Sequence, residues 1–201
     1  MTMGNRVAVL KAGILQQVDA PQRLNEHPDN LFVAGFIGSP SMNIAEGTIV
    51  SRDGALWLQL GRSGQELLVP DEAVERYPKI TDRVEAPVAF GIRPEHVGEA
   101  SGMEDAQRWS ARKVSLVEML GSEMLVHLQT SAPPIVSDDM RAAIDDEEAF
   151  AELERQAKEG GQEFVARFEP DANIQIGDLI DVGVRTEMLH FFDIDTGQAL
   201  R

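Results

Sequence analysis

Arg112-Lys113-Val114-Ser115-Leu116-Val117-Glu118-Met119, followed by Leu120-Gly121-Ser122-Glu123 and then Met124-Leu125-Val126-His127-Leu128-Gln129, decides the fold of this chain. Two short apolar-rich runs flank a tight Gly-Ser turn, which is the pattern of a β-hairpin. Working outward, Thr48–Ser51 and Ala55–Leu60 repeat it around Asp53-Gly54, with Leu56, Leu58 and Leu60 on one face. Val84–Gly91, Phe164–Glu169, Leu179–Val184 and Met188–Phe192 are further strand candidates. Many short strands parted by glycine-containing turns predict a mainly β small barrel or sandwich.

The two ends of this region differ from it. Arg6–Leu10 and Ile14–Val18 around Lys11-Ala12-Gly13 predict another hairpin, Pro21 opens a short helix through Glu26, and Pro28 ends it. Leu31–Ile37 is apolar at nearly every position, so periodicity leaves helix and strand both open. Between Pro133 and Gly161 the strand texture breaks. Ser137 as N-cap, Asp138 and Asp139 in the first turn, Lys158 near the end and Gly160-Gly161 as the stop predict a helical insertion over Ser137–Glu159. It carries nine Asp or Glu, not in calcium-loop spacing, and reads as a solvated acidic face. The barrel reading that best fits the strand count is the oligonucleotide/oligosaccharide-binding (OB) type.

Charge and composition narrow the function. Acidic residues outnumber basic ones 34 to 18, a formal net charge of −16, which argues against nucleic acid as a partner. Cysteine is absent, so neither disulfides nor zinc-thiolate sites are available, and a reducing, cytoplasmic compartment is expected. No stretch has the roughly 20 apolar residues of a membrane span.

Two stretches imitate nucleotide chemistry. Ser63-Gly64-Gln65 resembles part of an ABC signature but lies between strand-like runs rather than opening a helix, and is expected to be a turn. Leu67-Leu68-Val69-Pro70-Asp71-Glu72 resembles a strand delivering a metal-holding Asp and a catalytic Glu, yet Pro70 disfavours a central parallel strand. No Gly-rich loop with Lys-Ser or Lys-Thr accompanies it, so Asp71-Glu72 is expected to open a short helix through Arg76. His27, His96, His127 and His190 lack a second ligand at metal spacing and are expected in structural or hydrogen-bonding roles. Catalytic, cofactor and metal residues are therefore all expected to be none.

Three ordered stretches carry a resemblance: Gly35-Phe36-Ile37-Gly38-Ser39-Pro40-Ser41-Met42-Asn43, Gly91-Ile92-Arg93-Pro94-Glu95-His96, and Phe192-Asp193 with Thr196-Gly197. With Val7–Gly13 and Val117–Gly121 in the right places, the chain resembles the C-terminal regulatory (OB/TOBE-type) region of the ATPase subunit of maltose, trehalose and glycerol-phosphate ABC importers. The resemblance implies a remnant of the ATPase domain over residues 1–38 and an OB/TOBE-type regulatory domain over 39–201, with the helical insertion at about 133–161. It implies a noncatalytic regulatory and dimerisation module; a barrel binding a small oxyanion or sugar is the alternative. ATP and Mg are expected only for the ATPase domain. The implied partners are a second copy, the ATPase domain of the same protein, permease subunits through the intact transporter and a regulatory protein, at the inner face of the cell membrane. Gly91, Arg93, Pro94, Glu95 and His96 are the candidate interface or structural signature: glycine and proline constrain the backbone while Arg93, Glu95 and His96 supply directional polar groups.

Overall fold

The computed structural model describes residues 4–61, 64–103, 105–136, 147–148, 150–151, 155 and 161–201. It opens with the antiparallel hairpin β1 (Val7–Lys11) and β2 (Ile14–Asp19), whose turn residues Ala12 and Gly13 both take positive φ. Helix α1 (Pro21–Glu26) follows, with proline in its first turn as expected. Leu31–Phe36 forms α2, which resolves the ambiguous apolar run as a helix capped by the Asn30 side chain accepting from Val33 N at 2.9 Å.

The remainder is built from two five-stranded antiparallel sheets. One has the order β12-β6-β3-β4-β5, comprising β3 (Asn43–Arg52), β4 (Ala55–Leu60), β5 (Gln65–Val69), β6 (Pro87–Ile92) and β12 (His190–Phe192). The other runs β10-β9-β8-β11-β7, from β7 (Val97–Glu99), β8 (Gln107–Met119), β9 (Met124–Thr130), β10 (Gln162–Phe168) and β11 (Leu179–Val184). Helix α3 (Asp71–Arg76) and a 3-10 segment (Pro78–Arg83) connect β5 to β6. Thus Asp71 and Glu72 open a helix behind an antiparallel strand. Gly64 lies in the β4–β5 turn, Gln65 already opens β5, and Ser63 falls outside the described residues.

The two sheets enclose one apolar core. Phe164 of β10 lies at its centre, with Trp109 edge-on at 5.6 Å between ring centroids and Phe90 tilted at 6.1 Å. Side-chain amides join the sheets where backbone ladders end. Asn43 donates to Val165 O (2.8 Å) and accepts from Val165 N (2.7 Å), while Gln107 donates to Leu68 O (2.8 Å) and accepts from Leu68 N (2.7 Å). Each amide thereby imitates one residue of a neighbouring strand and satisfies backbone groups that a sheet edge would leave open.

The strand boundaries differ from the sequence expectation in one instructive way. Strand β8 starts at Gln107 rather than Arg112 because Ala111, at φ +55°, forms an irregularity that breaks the apolar alternation without ending the pairing to β11. Of the expected acidic helix, Glu147, Glu148, Phe150, Ala151 and Arg155 are helical and Phe150 is buried. The rest of that expectation lies outside the described residues.

Candidate functional site

Of the residues singled out in the sequence, Arg93 and the Asp193–Gly197 turn lie at the seam between the N-terminal hairpin-and-helix segment and the barrel, whereas Glu95 lines a hollow on the barrel itself. Gly91 lies at the end of β6, Arg93 follows the strand as the N-cap of a 3-10 turn, and that turn, Pro94–His96, leads into β7. Gly91, Arg93 and Pro94 are buried, His96 is half-buried, and Glu95 is exposed. Arg93 is only 2% exposed, among the most deeply enclosed side chains of the molecule. Its Nε and Nη2 donate to Asn25 O at 3.1 and 2.7 Å, and its Nη1 donates to Ile37 O at 2.7 Å.

Those acceptors have a common origin. Asn25 lies in the last turn of α1 and Ile37 is the C-cap of α2, so both carbonyls are helix-end groups with no intrahelical donor. One planar guanidinium, whose donors are fixed in a fork, completes two helices at once. Gly38 provides the room: its φ is +123°, and a Cβ there would stand 2.8 Å from Arg93 Nη1 and 3.1 Å from Pro40 O. Burial lowers the basicity of Arg93, while Glu95 and Tyr77 oppose that effect.

The last signature reaches the same helix from its other end. Asp193 Oδ1 accepts from Thr196 N and Thr196 Oγ1, both at 2.8 Å, and Asp193 also pairs with Arg83. Partial burial opposes ionisation of Asp193, but the Thr196 bonds and Arg83 outweigh it and lower its carboxyl. The turn places Gly197, at φ +68°, so that its carbonyl accepts from Leu31 N at 2.8 Å, the first amide of α2. Asn30 and Gln198 form a β-bridge beside it, and Ala199 N donates to Asp29 O at 2.9 Å. Beneath these bonds, Leu31 and Ala34 pack with Met42, Ile44, Ala89 and Phe192.

Of the four histidines, His190 and His127 make side-chain contacts within the fold, whereas Nδ1 of His96 is buried without a hydrogen-bond partner. Tyr77 and His190 share a buried hydrogen bond of 2.7 Å between the phenol and Nδ1. Burial first, then the charges of Arg93, Arg76, Arg201 and His96, hold His190 well below the ordinary histidine range, and burial raises the Tyr77 phenol. Both groups are thereby held neutral, and the imidazole tautomer sets which of the two donates. His127 lies between Glu118 (2.9 Å) and Glu163 (3.5 Å) on the outer face of β8, β9 and β10. Among the described residues no three His, Asp or Glu side chains converge as a metal site.

A hollow of about 370 Å³ beside Glu95 is lined by four glutamates, Glu95, Glu99, Glu123 and Glu169, against two arginines, Arg185 and the Arg167 that pairs with Glu123. That lining is a poor receptor for an oxyanion. Among the described residues no helix is long and apolar enough to cross a membrane.

Gly38, Asn43 and Gln107 were not singled out for these roles. Gly38 stands in a Gly-Ser-Pro run, which signals a turn but not the arginine above it. The amides of Asn43 and Gln107 carry no local signal of a partner in another sheet.

Comparison with known proteins agrees with this geometry. A family profile described as the MalK OB fold domain matches residues 38–97, and one described as the TOBE domain matches residues 90–155. The whole chain aligns at 37% identity with the osmoprotective compounds uptake ATP-binding protein GgtA of Synechocystis sp., covering 46% of that protein. It aligns at 34% with the trehalose import ATP-binding protein SugC of Mycobacterium tuberculosis, covering 48%, and at 34% with the trehalose/maltose import ATP-binding protein MalK of Thermococcus litoralis, covering 45%. The chain thus spans about half the length of the curated relatives it matches. With the two profiles covering residues 38–155 and the whole chain aligning to part of each relative, this chain is an OB/TOBE-type region similar to that of the ATP-binding subunits of sugar ABC importers.

Proposed function

We propose that this chain is the regulatory and dimerisation region of a carbohydrate importer's ATP-binding subunit, without catalysis of its own. The observation that carries the reading is the seam: Arg93 of one barrel signature and the Gly197 carbonyl of the other bond the ends of α1 and α2. Residues 1–38 are read as the closing segment of the ATPase domain and 39–201 as the regulatory domain. Leu10, Ile14, Leu15, Val18 and Phe36 stand exposed on the first segment, Ile14 at 68%, and form a surface suited to the ATPase domain of the same protein. Permease subunits would meet the region through the intact transporter at the cytoplasmic face of the membrane.

Dimerisation through the barrel is supported by exposed Leu116, Met119, Leu120, Ile176 and Leu179 on β8 and around the strands it pairs with. Glu95, the exposed member of the Gly91–His96 stretch, is the residue there that remains available to a partner. Calorimetric titration of the chain with Mg-ATP is expected to give no saturable heat, and micromolar binding would sink the noncatalytic reading. Sedimentation velocity is expected to show a homodimer, and a strictly monomeric chain at high concentration would remove the dimerisation half of it.

A further inference from the structure

Helix α2 is six residues long, far too short to be stable on its own backbone bonds. The groups that complete it come from two separate parts of the barrel. At its N-terminal end Leu31 N donates to Gly197 O, and at its C-terminal end Ile37 O accepts from Arg93. Its inner face is clamped as well, with Leu31 and Ala34 in the cluster built on Met42, Ala89 and Phe192. Its other side belongs to the N-terminal segment: Phe32 and Val33 pack with Val9 and Leu24, and Asn30 Nδ2 donates to Gln16 Oε1 of β2 at 3.0 Å. Phe36, 53% exposed, stacks on Phe32 at 5.5 Å between centroids.

We propose that α2 is the coupling element of this molecule: Arg93 and the Gly197 turn grip its two ends, so that barrel and N-terminal hairpin move together through it, carrying exposed Phe36. The inference deepens the regulatory reading, on which it rests, by naming the element through which a change in the barrel reaches the segment assigned to the ATPase domain. Arg93 is a positioning residue here. It acts by holding two carbonyls.

Hydrogen exchange on the full 201-residue chain tests this without nucleotide, so it can fail while the regulatory reading stands. In Arg93→Met the amides of Val33, Ala34 and Ile37 are expected to exchange about ten-fold faster or more, as an orphaned buried carbonyl implies, while those of β9 change less than about two-fold. Unchanged exchange in α2, or equal acceleration in β9, would overturn the proposal, the second by making Arg93 a residue of global stability. Arg93→Ala with added methylguanidinium is expected to regain protection in α2, and methylammonium is not, because only the planar fork reaches both carbonyls. Failure of that rescue counts against the proposal. Asp193→Ala, which unfastens the turn, is expected to accelerate exchange at Leu31. Arg83→Ala, which removes only the ion pair, is not expected to do so. Equal behaviour of these two variants would refute the grip at the N-terminal end.

Discussion

At the scale of single residues, Gly38 and His190 show how much of this molecule depends on groups that look unremarkable in the sequence. Alanine at position 38 would have to hold φ near +123° and displace the Arg93 guanidinium from 2.8 Å, neither of which the packed seam accommodates. Gly38→Ala is therefore expected to cost about 2 kcal/mol or more in urea denaturation, and a variant as stable as the parent would show that Arg93 is not held there. His190 makes a prediction about pH. Its folded pKa is depressed by burial and by three neighbouring arginines, whereas an unfolded histidine titrates near 6.5. Below that value the unfolded chain binds the proton that the folded chain refuses, so stability is complete above about pH 6.5 and falls as pH drops toward the folded pKa. His27 and His96 are lowered too and act in the same direction. Asp19, Asp181 and Asp193, also lowered, contribute stability that is complete above the ordinary carboxylate range and is lost only as pH falls below it, a separate window. Melting temperatures measured from pH 8 to 5 are expected to decline on the acid side, and His190→Gln, whose amide can still donate to or accept from Tyr77 but cannot be protonated, is expected to flatten that decline. An unaltered slope would assign it to the other two histidines.

At the scale of elements, the barrel is closed by side chains as much as by ladders. Asn43 and Gln107 each exchange two hydrogen bonds with one backbone residue of the opposite sheet, and Gln162 adds a third link to Ile44 O at 2.9 Å. Asn43→Ala leaves the Val165 N–H and C=O without these partners and is expected to destabilise by about 1–3 kcal/mol, read from denaturant midpoints. Asn43→Asp is expected to be worse, since a carboxylate can still accept from Val165 N but confronts Val165 O with negative charge in a site only 7% exposed. If Asp were tolerated as well as Ala, the amide would not be the closing device. These links were invisible in the sequence because they join residues 122 and 39 positions apart. What was legible was local: Asp53-Gly54, with both residues at positive φ, and the Gly121-Ser122 turn announced their hairpins through turn chemistry alone. Strand β7 escaped notice because Val97-Gly98-Glu99 is too short to show a period, and its close approach to β10 is recorded only by Gly98, where a Cβ would stand 2.6 Å from Arg167 O. Arg93 was legible as a marked residue but not as a buried one, since its acceptors lie 68 and 56 residues away.

At the scale of the whole molecule, the question is whether residues 1–38 can be removed from the barrel without consequence. The main core begins at Ala45 and runs to Leu200, with no contribution from the N-terminal segment, so a chain starting at Ser39 retains everything needed to close the two sheets. It loses Leu31 and Ala34 from the cluster around Met42, Ile44, Ala89 and Phe192, and it leaves Arg93 without any of its three bonds. Truncation at Ser39 is accordingly expected to give a β-rich circular dichroism spectrum with a lowered melting temperature and new binding of an apolar dye. Loss of the β spectrum would mean that the segment is indispensable to the barrel. The same comparison separates two origins of a dimer. Interfaces between copies of a chain with net charge −16 are opposed by long-range repulsion that salt screens, so association through the barrel is expected to tighten as salt is raised. The apolar hairpin face bearing Leu10, Ile14 and Leu15 offers a competing contact that disappears on truncation. Sedimentation of both chains at low and high salt is expected to show dimers in each, strengthened by salt, whereas a dimer confined to the longer chain would place the contact on the hairpin and reject the barrel interface.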